Sequence, residues 1–322
     1  MSAQQNPQLP EVVDIRQLAP AELDHLLDEE GRLWRAQYQW DFNPSADLVR
    51  RFVEMQALSG YALRVQRELI GYGYHVFEDH KGLIGDFYVR PGPQNASYEA
   101  LLLSAIVQSL MNTPGIRRIE SQLLLSRVRT SALIPFDRYV LRYDREFMST
   151  TAETIEELPR RKIAARVRLV PWNDHFHEES AQLIAAAYRG HVDSEINDQY
   201  RTIPGARRFL TNIIRYPGCG RFSPQSSIVA VEETSGRVCG ICLASMVSEL
   251  SGHVTQLCVT PALRGTGLGY ELLRRCLIEV LEQGREITSL TVTGHNETAI
   301  RLYESMGFVH RATFPALVWE GF

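Results

Sequence analysis

The sequence predicts an α/β (α+β) protein made of two similar halves, each a mixed, mostly antiparallel sheet with helices on both faces. Three observations lead to it. Strand-like apolar stretches alternate with amphipathic helical ones along the chain, the pattern of a layered sheet and its helices. The elements recur in the same order on either side of a polar stretch, as in a duplication. Each run of strands closes on a similar phrase, Tyr88-Val89-Arg90-Pro91 and then Cys258-Val259-Thr260-Pro261, and a long helical pattern follows it each time. A chain of 322 residues has room for two domains of about 150 residues.

In the first half, Val13 to Leu18 reads as a strand, and Pro20 opens an amphipathic helix that runs to about Ala36. Tyr61 to Val65, Ile70 to Phe77 and Asp86 to Val89 read as a meander of strands, followed by a helix from Tyr98 to Met111. Residues 149–164 (STTAETIEELPRRKIA) are polar, contain Pro159 and show no clear strand or long helical period. They predict a linker between a domain at 1–148 and a second at 165–322. The second half repeats the order: strand Arg166 to Pro171, helix Glu178 to Tyr188, then strands Ser227 to Glu232, Val238 to Val247 and His253 to Val259. The helix from Gly267 to Gln283 carries Tyr270, Leu273, Leu277, Val280 and Leu281 at helical spacing. The second half spends more residues than the first before its closing phrase, and the excess is expected after its first helix.

Composition excludes several classes. With 44% hydrophobic and 22% charged residues, the chain is neither disordered nor collagen-like nor a small disulfide scaffold. A net charge of -4 lacks the basic excess of a general nucleic-acid binder. No apolar run approaches the ~18 residues of a membrane span, and the longest, Ala100 to Met111, is broken by Ser104, Gln108 and Ser109. The opening MSAQQNPQLP has neither the basic nor the apolar region of a secretory leader. The five cysteines, Cys219, Cys239, Cys242, Cys258 and Cys276, are odd in number and scattered, which argues for a reducing, cytoplasmic compartment. Cys239 and Cys242 form a C-x-x-C within a strand, where residues three apart point to opposite faces. They read as small buried hydrophobes rather than a redox or zinc pair.

The most informative stretch runs from Gln256 through Pro261 to Arg264, Gly265, Thr266, Gly267, Leu268, Gly269 and Tyr270. A strand ends, Pro261 stops the ladder, and three glycines at alternate positions open a helix. Glycine permits positive φ and close approach, and the helix N-terminus offers main-chain N–H groups with a partial positive charge. The chemistry served is diphosphate binding. A dinucleotide fingerprint needs G-x-G-x-x-G and a nucleotide-triphosphate loop needs Gly-Lys-Ser/Thr, and neither is present.

The R-G-x-G-x-G phrase after a strand ending in Val-x-Pro resembles the acetyl-coenzyme A motif of the GNAT superfamily of N-acetyltransferases. A second stretch, Ser289 to Phe308, reads as strand, turn, helix and glycine cap. With Asn296, Ala299, Leu302-Tyr303 and Gly307-Phe308 it resembles the same family. The resemblance covers Val167 to Trp319. It implies an acetyl-CoA-dependent N-acetyltransferase that moves the acetyl group from the thioester to a primary amine by direct attack, without a metal. It further implies that the main chain of Leu257, Cys258 and Val259 pairs with the pantetheine amides. Arg264 with Gly265, Thr266, Gly267, Leu268, Gly269 and Tyr270 would hold the pyrophosphate. Asn296 would contact the cofactor arm, and Tyr303, about two helical turns on, would protonate the departing thiolate.

The attacking amine must first be neutral. Family members often use a Glu or His for this. The position five residues before Asn296, often Glu in relatives, is Thr291, whereas His253 lies six residues before Val259. Strand alternation places His253, Thr255 and Leu257 on one face, and an unperturbed imidazole near ~6.5 suits a general base. Asp193, Glu195 and Asp198, after the first helix of this half, are candidates to hold a cationic acceptor. The first half lacks the glycine phrase, since Gly92 to Tyr98 contains Pro93 instead, and only Ala132 to Tyr139 comes near the second motif. It reads as a degenerate GNAT-like domain that supplies packing surface. The expected partners are acetyl-CoA and an amine acceptor, with neither nucleic acid nor membrane, for a monomer or homodimer. The alternatives are a non-catalytic acyl-CoA-binding sensor or scaffold, or a transferase of another acyl group.

Overall fold

The structure, a computed structural model, describes residues 10–126, 134–216 and 218–322. Nearly all of the opening MSAQQNPQLP and the first residues of Ala132 to Tyr139 lie outside the described residues. The chain divides into two units. Unit 1 takes in residues up to Ala36, Phe42–Asp144 and Phe314–Phe322, and unit 2 takes in Gln37–Asp41 and Arg145–Thr313. Each unit therefore includes a segment from the other half of the sequence.

Unit 1 contains β1 (Glu11–Asp14), α1 (Pro20–Tyr38), α2 (Asn43–Glu54), β2 (Gly60–Val65), β3 (Glu68–Glu78), β4 (Lys81–Val89), α3 (Asn95–Met111) and β5 (Arg118–Gln122). Pro20 opens α1 with its φ already helical, and the Glu22 carboxylate accepts the Ala19 main-chain N–H at 2.9 Å. The strands lie in sequence order, antiparallel except for the parallel β4–β5 pair. Residues Ala316–Glu320, from the last strand, pair antiparallel with β5. One apolar core joins Leu23, Leu26 and Val49 to Tyr72 and Tyr88, and another joins Leu102 and Ile106 to Ile84, Phe87 and Trp319. The Trp319 indole donates to the Pro135 carbonyl at 2.8 Å.

Unit 2 begins within β6 (Val140–Thr151) and continues through α4 (Ala152–Glu156), β7 (Val167–Pro171), α5 (His177–Ala187), α6 (Asp193–Ile196), α7 (Ile203–Arg215), β8 (Arg221–Phe222), β9 (Ile228–Glu232), β10 (Val238–Met246), β11 (Ser251–Val259), α8 (Leu268–Glu282), β12 (Ile287–Thr293), α9 (Glu297–Glu304) and the start of β13 (Val309–Glu320). Its strand order is β6-β12-β11-β10-β9-β7, with β8 on β10 and only β11–β12 parallel. α8 covers one face with Leu272, Leu273, Cys276, Leu277 and Val280, spaced as one helical stripe. Ala181 and Ile184 of α5 and Ala206 and Leu210 of α7 cover the other, against Ile241, Leu243 and Cys258. α6 and α7 account for the extra length expected after the first helix.

The stretch read as a linker is ordered. Ser149, Thr150 and Thr151 extend β6 against Ser289, Thr288 and Ile287, α4 follows, and Ile155 and Leu158 enter the core beneath α8. Three small hydroxyl residues hid a buried strand end, and two apolar side chains three apart hid a single helical turn.

The two units share an irregularity as well as an order. β4 pairs with β5 only over Lys81–Ile84, and β11 with β12 only over Ser251–Val254. The next residue, Gly85 in one and Thr255 in the other, is skipped in the register with the preceding strand. Such a bulge costs one step of alternation. Val254 lies before it and Leu257 and Val259 after it, yet all three pack on the α8 side, while Cys258 packs against α5 and α7. His253 is therefore on the face opposite Leu257, which corrects the shared face expected from plain alternation. A register shift at Val238/Gly240 has the same effect on the C-x-x-C: Cys239 and Cys242 are both buried in the core beneath α8.

Candidate active site

The glycine loop forms an open main-chain cradle. Gly265 and Gly267 have φ of 76° and 85°, and Gly267 caps the N-terminus of α8. The first main-chain donor to find a partner is Glu271, bonded to the Gly267 carbonyl at 3.1 Å. Among the described residues the N–H groups of residues 265–270 make no hydrogen bond. A Cβ on Gly265 would meet nothing within 4 Å, whereas one on Gly267 would lie 3.1 Å from the Lys162 carbonyl. Thr266 turns its hydroxyl back to Leu263, and its carbonyl accepts the Ala164 N–H at 2.9 Å. Leu268 and Tyr270 are buried anchors, with the Tyr270 hydroxyl on the Pro159 carbonyl at 2.9 Å. Arg264 is exposed and donates to the Ala187 carbonyl at the end of α5.

The cradle stands at the end of a gap between strands. β12 continues to Thr293, but its pairing with β11 stops at Val254 and Leu290. Thr260 bonds through its N–H to the Cys239 carbonyl, so the antiparallel alternation points the main chain of Leu257 and Val259 away from β10, into the gap. The sequence placed these residues correctly on one strand. Cys258 lies on the other face, where burial pushes its thiol up to about 12.

At the gap, α9 is capped by Asn296, whose side-chain oxygen accepts the Ala299 N–H at 3.2 Å. Tyr303 is buried in the α8-side core, and its hydroxyl bonds to none of the described residues. Burial, with Cys242 and Asp193 adding to it, raises its pKa, so the phenol stays protonated. Of the three acidic candidates only Asp193 joins this group. It accepts from Arg145 at 3.1 Å and from the Thr293 hydroxyl, and His191 lies 3.7 Å away. Glu195 is exposed and pairs with Arg201 at 2.8 Å, and Asp198 opens the next turn beyond it.

Several residues at the site escaped the sequence reading. Arg145 bonds the Thr291 and Thr293 hydroxyls at 3.1 and 2.9 Å, so both threonines serve an arginine. Gln256 donates to the Tyr188 hydroxyl at 2.7 Å, and Tyr188 stacks on Tyr200 at 4.5 Å. Hydroxyl alternation on β12 was a visible signal. Arg145 carried none, because it lies on the far side of the expected linker.

His253 lies in an aromatic niche. Its ring meets Trp40 edge-on at 4.8 Å and stacks near Phe147 at 6.2 Å, and Nδ1 lies 2.9 Å from the Ser289 hydroxyl. Burial, and then the Arg145 charge, lower its pKa to about 3. The imidazole is neutral, which corrects the value near 6.5 expected from sequence.

The equivalent corner of unit 1 lacks the left-handed glycines and is tied together by an asparagine. Asn95, at the start of α3, donates its side-chain amide to the Val89 and Arg90 carbonyls, both at 3.2 Å, and its main-chain N–H to Gly92.

The strand gap ends at the glycine loop that opens α8, with Asn296 at the start of α9 and Tyr303 within it. A family model described as the acetyltransferase (GNAT) family matches residues 194–308, which lie within unit 2. Among solved structures it is similar over 98% of its length to a GCN5-related N-acetyltransferase from Sphaerobacter thermophilus, covering 96% of that chain at 17% identity with a TM-score of 0.67. It is also similar to a tandem GNAT protein from the clavulanic acid biosynthesis pathway, at 15% identity, TM-score 0.58 and coverage of 97% and 98%. A GNAT-family acetyltransferase from Colwellia psychrerythraea aligns over 97% of this chain and 100% of its own at 12% identity and TM-score 0.54. No curated protein matches significantly. The fold is thus that of two GNAT-like domains, a fold that supports acyl transfer from acyl-CoA. Among the described residues no cluster of side chains has the makings of a metal site, and no helix is long and apolar enough to cross a membrane.

Proposed function

We propose that the chain is an acetyl-CoA-dependent N-acetyltransferase whose working site is in unit 2. The observation that carries the reading is the set of unbonded N–H groups at residues 265–270, next to the gap that Leu257 and Val259 face. These donors suit a pyrophosphate, and the open main chain of Leu257 and Val259 suits the amides of a pantetheine arm. Tyr303 supplies the proton as the thioester sulfur takes up charge, and its raised pKa keeps that proton available at any working pH. Asp193, fixed by Arg145 and Thr293, presents a carboxylate on the acceptor side and attracts a cationic acceptor. The acceptor then attacks as its neutral amine.

A panel of amines assayed with acetyl-CoA for thiol release tests this directly. Tyr303→Phe is expected to lower kcat by about 10²-fold with coenzyme A affinity unchanged. An unchanged kcat with a weakened KM assigns Tyr303 to cofactor packing instead. Coenzyme A binding without turnover of any amine makes the chain an acyl-CoA sensor.

A further inference from the structure

Two polar groups beside the gap lack partners, and they are opposite in kind. Gln256 follows the bulge at Thr255, and its side-chain amide spans two phenols. It donates to the Tyr188 hydroxyl at 2.7 Å and accepts from the Tyr200 hydroxyl at 3.4 Å. A phenol that accepts in this way still has its own proton to give. Among the described residues nothing accepts the Tyr188 proton. Burial, with Tyr200 and then Asp193 adding to it, raises the Tyr188 pKa, so that proton stays in place. Asp193 is the converse. Its Oδ1 accepts from Arg145 and from Thr293, whereas its Oδ2 accepts no hydrogen bond from the described residues. His191 Nδ1 lies 3.7 Å from Oδ2 and is itself an acceptor, of the Asp193 main-chain N–H at 3.1 Å.

The two groups stand together where the strands part. The His191 ring meets Tyr188 edge-on at 5.2 Å and Asp193 on its Nδ1 side, so one imidazole adjoins both. Tyr188 is tied to β11 through Gln256, and Asp193 to β12 through Thr293. Tyr188, His191 and Asp193 are all half-buried, within reach of a ligand. A free acceptor beside a free donor matches a ligand that offers an N–H beside an oxygen. A neutral amine gives an N–H to Oδ2 and keeps its lone pair for the thioester, while an oxygen on the neighbouring carbon takes the Tyr188 proton. A hydroxyl there brings a further proton to be placed, and a carboxylate brings a like charge to Asp193. A carbonyl brings lone pairs alone.

We propose that the acceptor is an α-amino amide, as in an amino acid amide or a peptide N-terminus, with its amine on Asp193 and its carbonyl oxygen on the Tyr188 hydroxyl. This rests on the acetyltransferase reading of the gap. The test takes three acceptors with acetyl-CoA: alaninamide, a tripeptide amide of alanine, and sec-butylamine, in which an ethyl group replaces the carboxamide. Each kcat/KM is taken per neutral amine, for the wild type and for Tyr188→Phe. Phenylalanine keeps the ring that stacks on Tyr200, and a melting curve checks the fold. The wild type is expected to favour the amides by about 10- to 100-fold, the worth of one well-placed hydrogen bond, and the variant to bring the ratio near one. Preference for the small amide or for the peptide tells the source within the class. A wild type that treats amides and alkylamine alike, or a variant that keeps the preference at whatever overall rate, overturns the proposal and leaves the acetyltransferase reading intact. A wild type that acetylates no amine overturns that reading and the proposal with it.

Discussion

His253 shows how one residue's role turns on its surroundings. Its imidazole is enclosed by Trp40 and Phe147 and has its pKa lowered to about 3. His253→Ala is therefore expected to leave the acidic limb of kcat/KM in place. With two acceptors of different amine pKa, the limb should follow the acceptor, because the enzyme selects the neutral amine. A limb that disappears in the variant restores His253 as the base. In unit 1, the Tyr72 hydroxyl lies 2.6 Å from Glu30 and 2.9 Å from Asp86, and its single proton can serve only one of them. Burial, and then the Asp86 charge, hold the Glu30 carboxyl well above its ordinary value near 4.5. A raised carboxyl favours the fold while protonated, so stability falls as pH rises from about 4.5 toward the folded value. Glu30→Gln keeps the shape without the titration. Its melting temperature is expected to exceed the wild type's at pH 8 and to converge with it near pH 5. A constant difference across that range defeats the account. Neither setting was legible in the sequence, because both depend on side chains brought from distant strands and helices.

The glycine loop is the element whose sequence spoke most plainly, since spacing, helix start and chemistry all follow from local residues. The structure adds a rank order within it. Gly265→Ala costs only the left-handed backbone, about 1–2 kcal/mol, because its Cβ would stand in open space. Gly267→Ala has the same backbone cost and also crowds the Lys162 carbonyl. Titration with coenzyme A should show the weaker binding for Gly267→Ala, by more than about tenfold against wild type. Equal effects defeat the role given to the Lys162 contact. The meander strands and flanking helices were likewise read to within a few residues, since alternation and helical stripes are local signals. Among the features missed are α2, the turn at Ile15–Gln17 where a strand was expected to continue, the bulge at Thr255, the strand end and helical turn within 149–164, and the arginine behind Thr291. A bulge made by a threonine leaves no mark of Gly or Pro, and the strand end at 149–151 and the Arg145 contacts depend on partners far along the chain.

On the scale of the whole molecule, the left-handed glycine cradle belongs, among the described residues, to unit 2 and not to the matching corner of unit 1. Calorimetry should give one coenzyme A per chain, and a second site per chain defeats the assignment of binding to the glycine cradle alone. The pairing of β5 with residues Ala316–Glu320 carries a different consequence, one of timing during synthesis. Those residues lie about 200 positions after their partner strand. At ordinary elongation rates they leave the ribosome about 10–40 s later. The unit that begins first is thus completed last, after nearly all of the cradle-bearing unit has been made. Through that interval β5 waits with an unpaired edge. A nascent chain stalled before Phe314 is where chaperone engagement of the first half would be strongest.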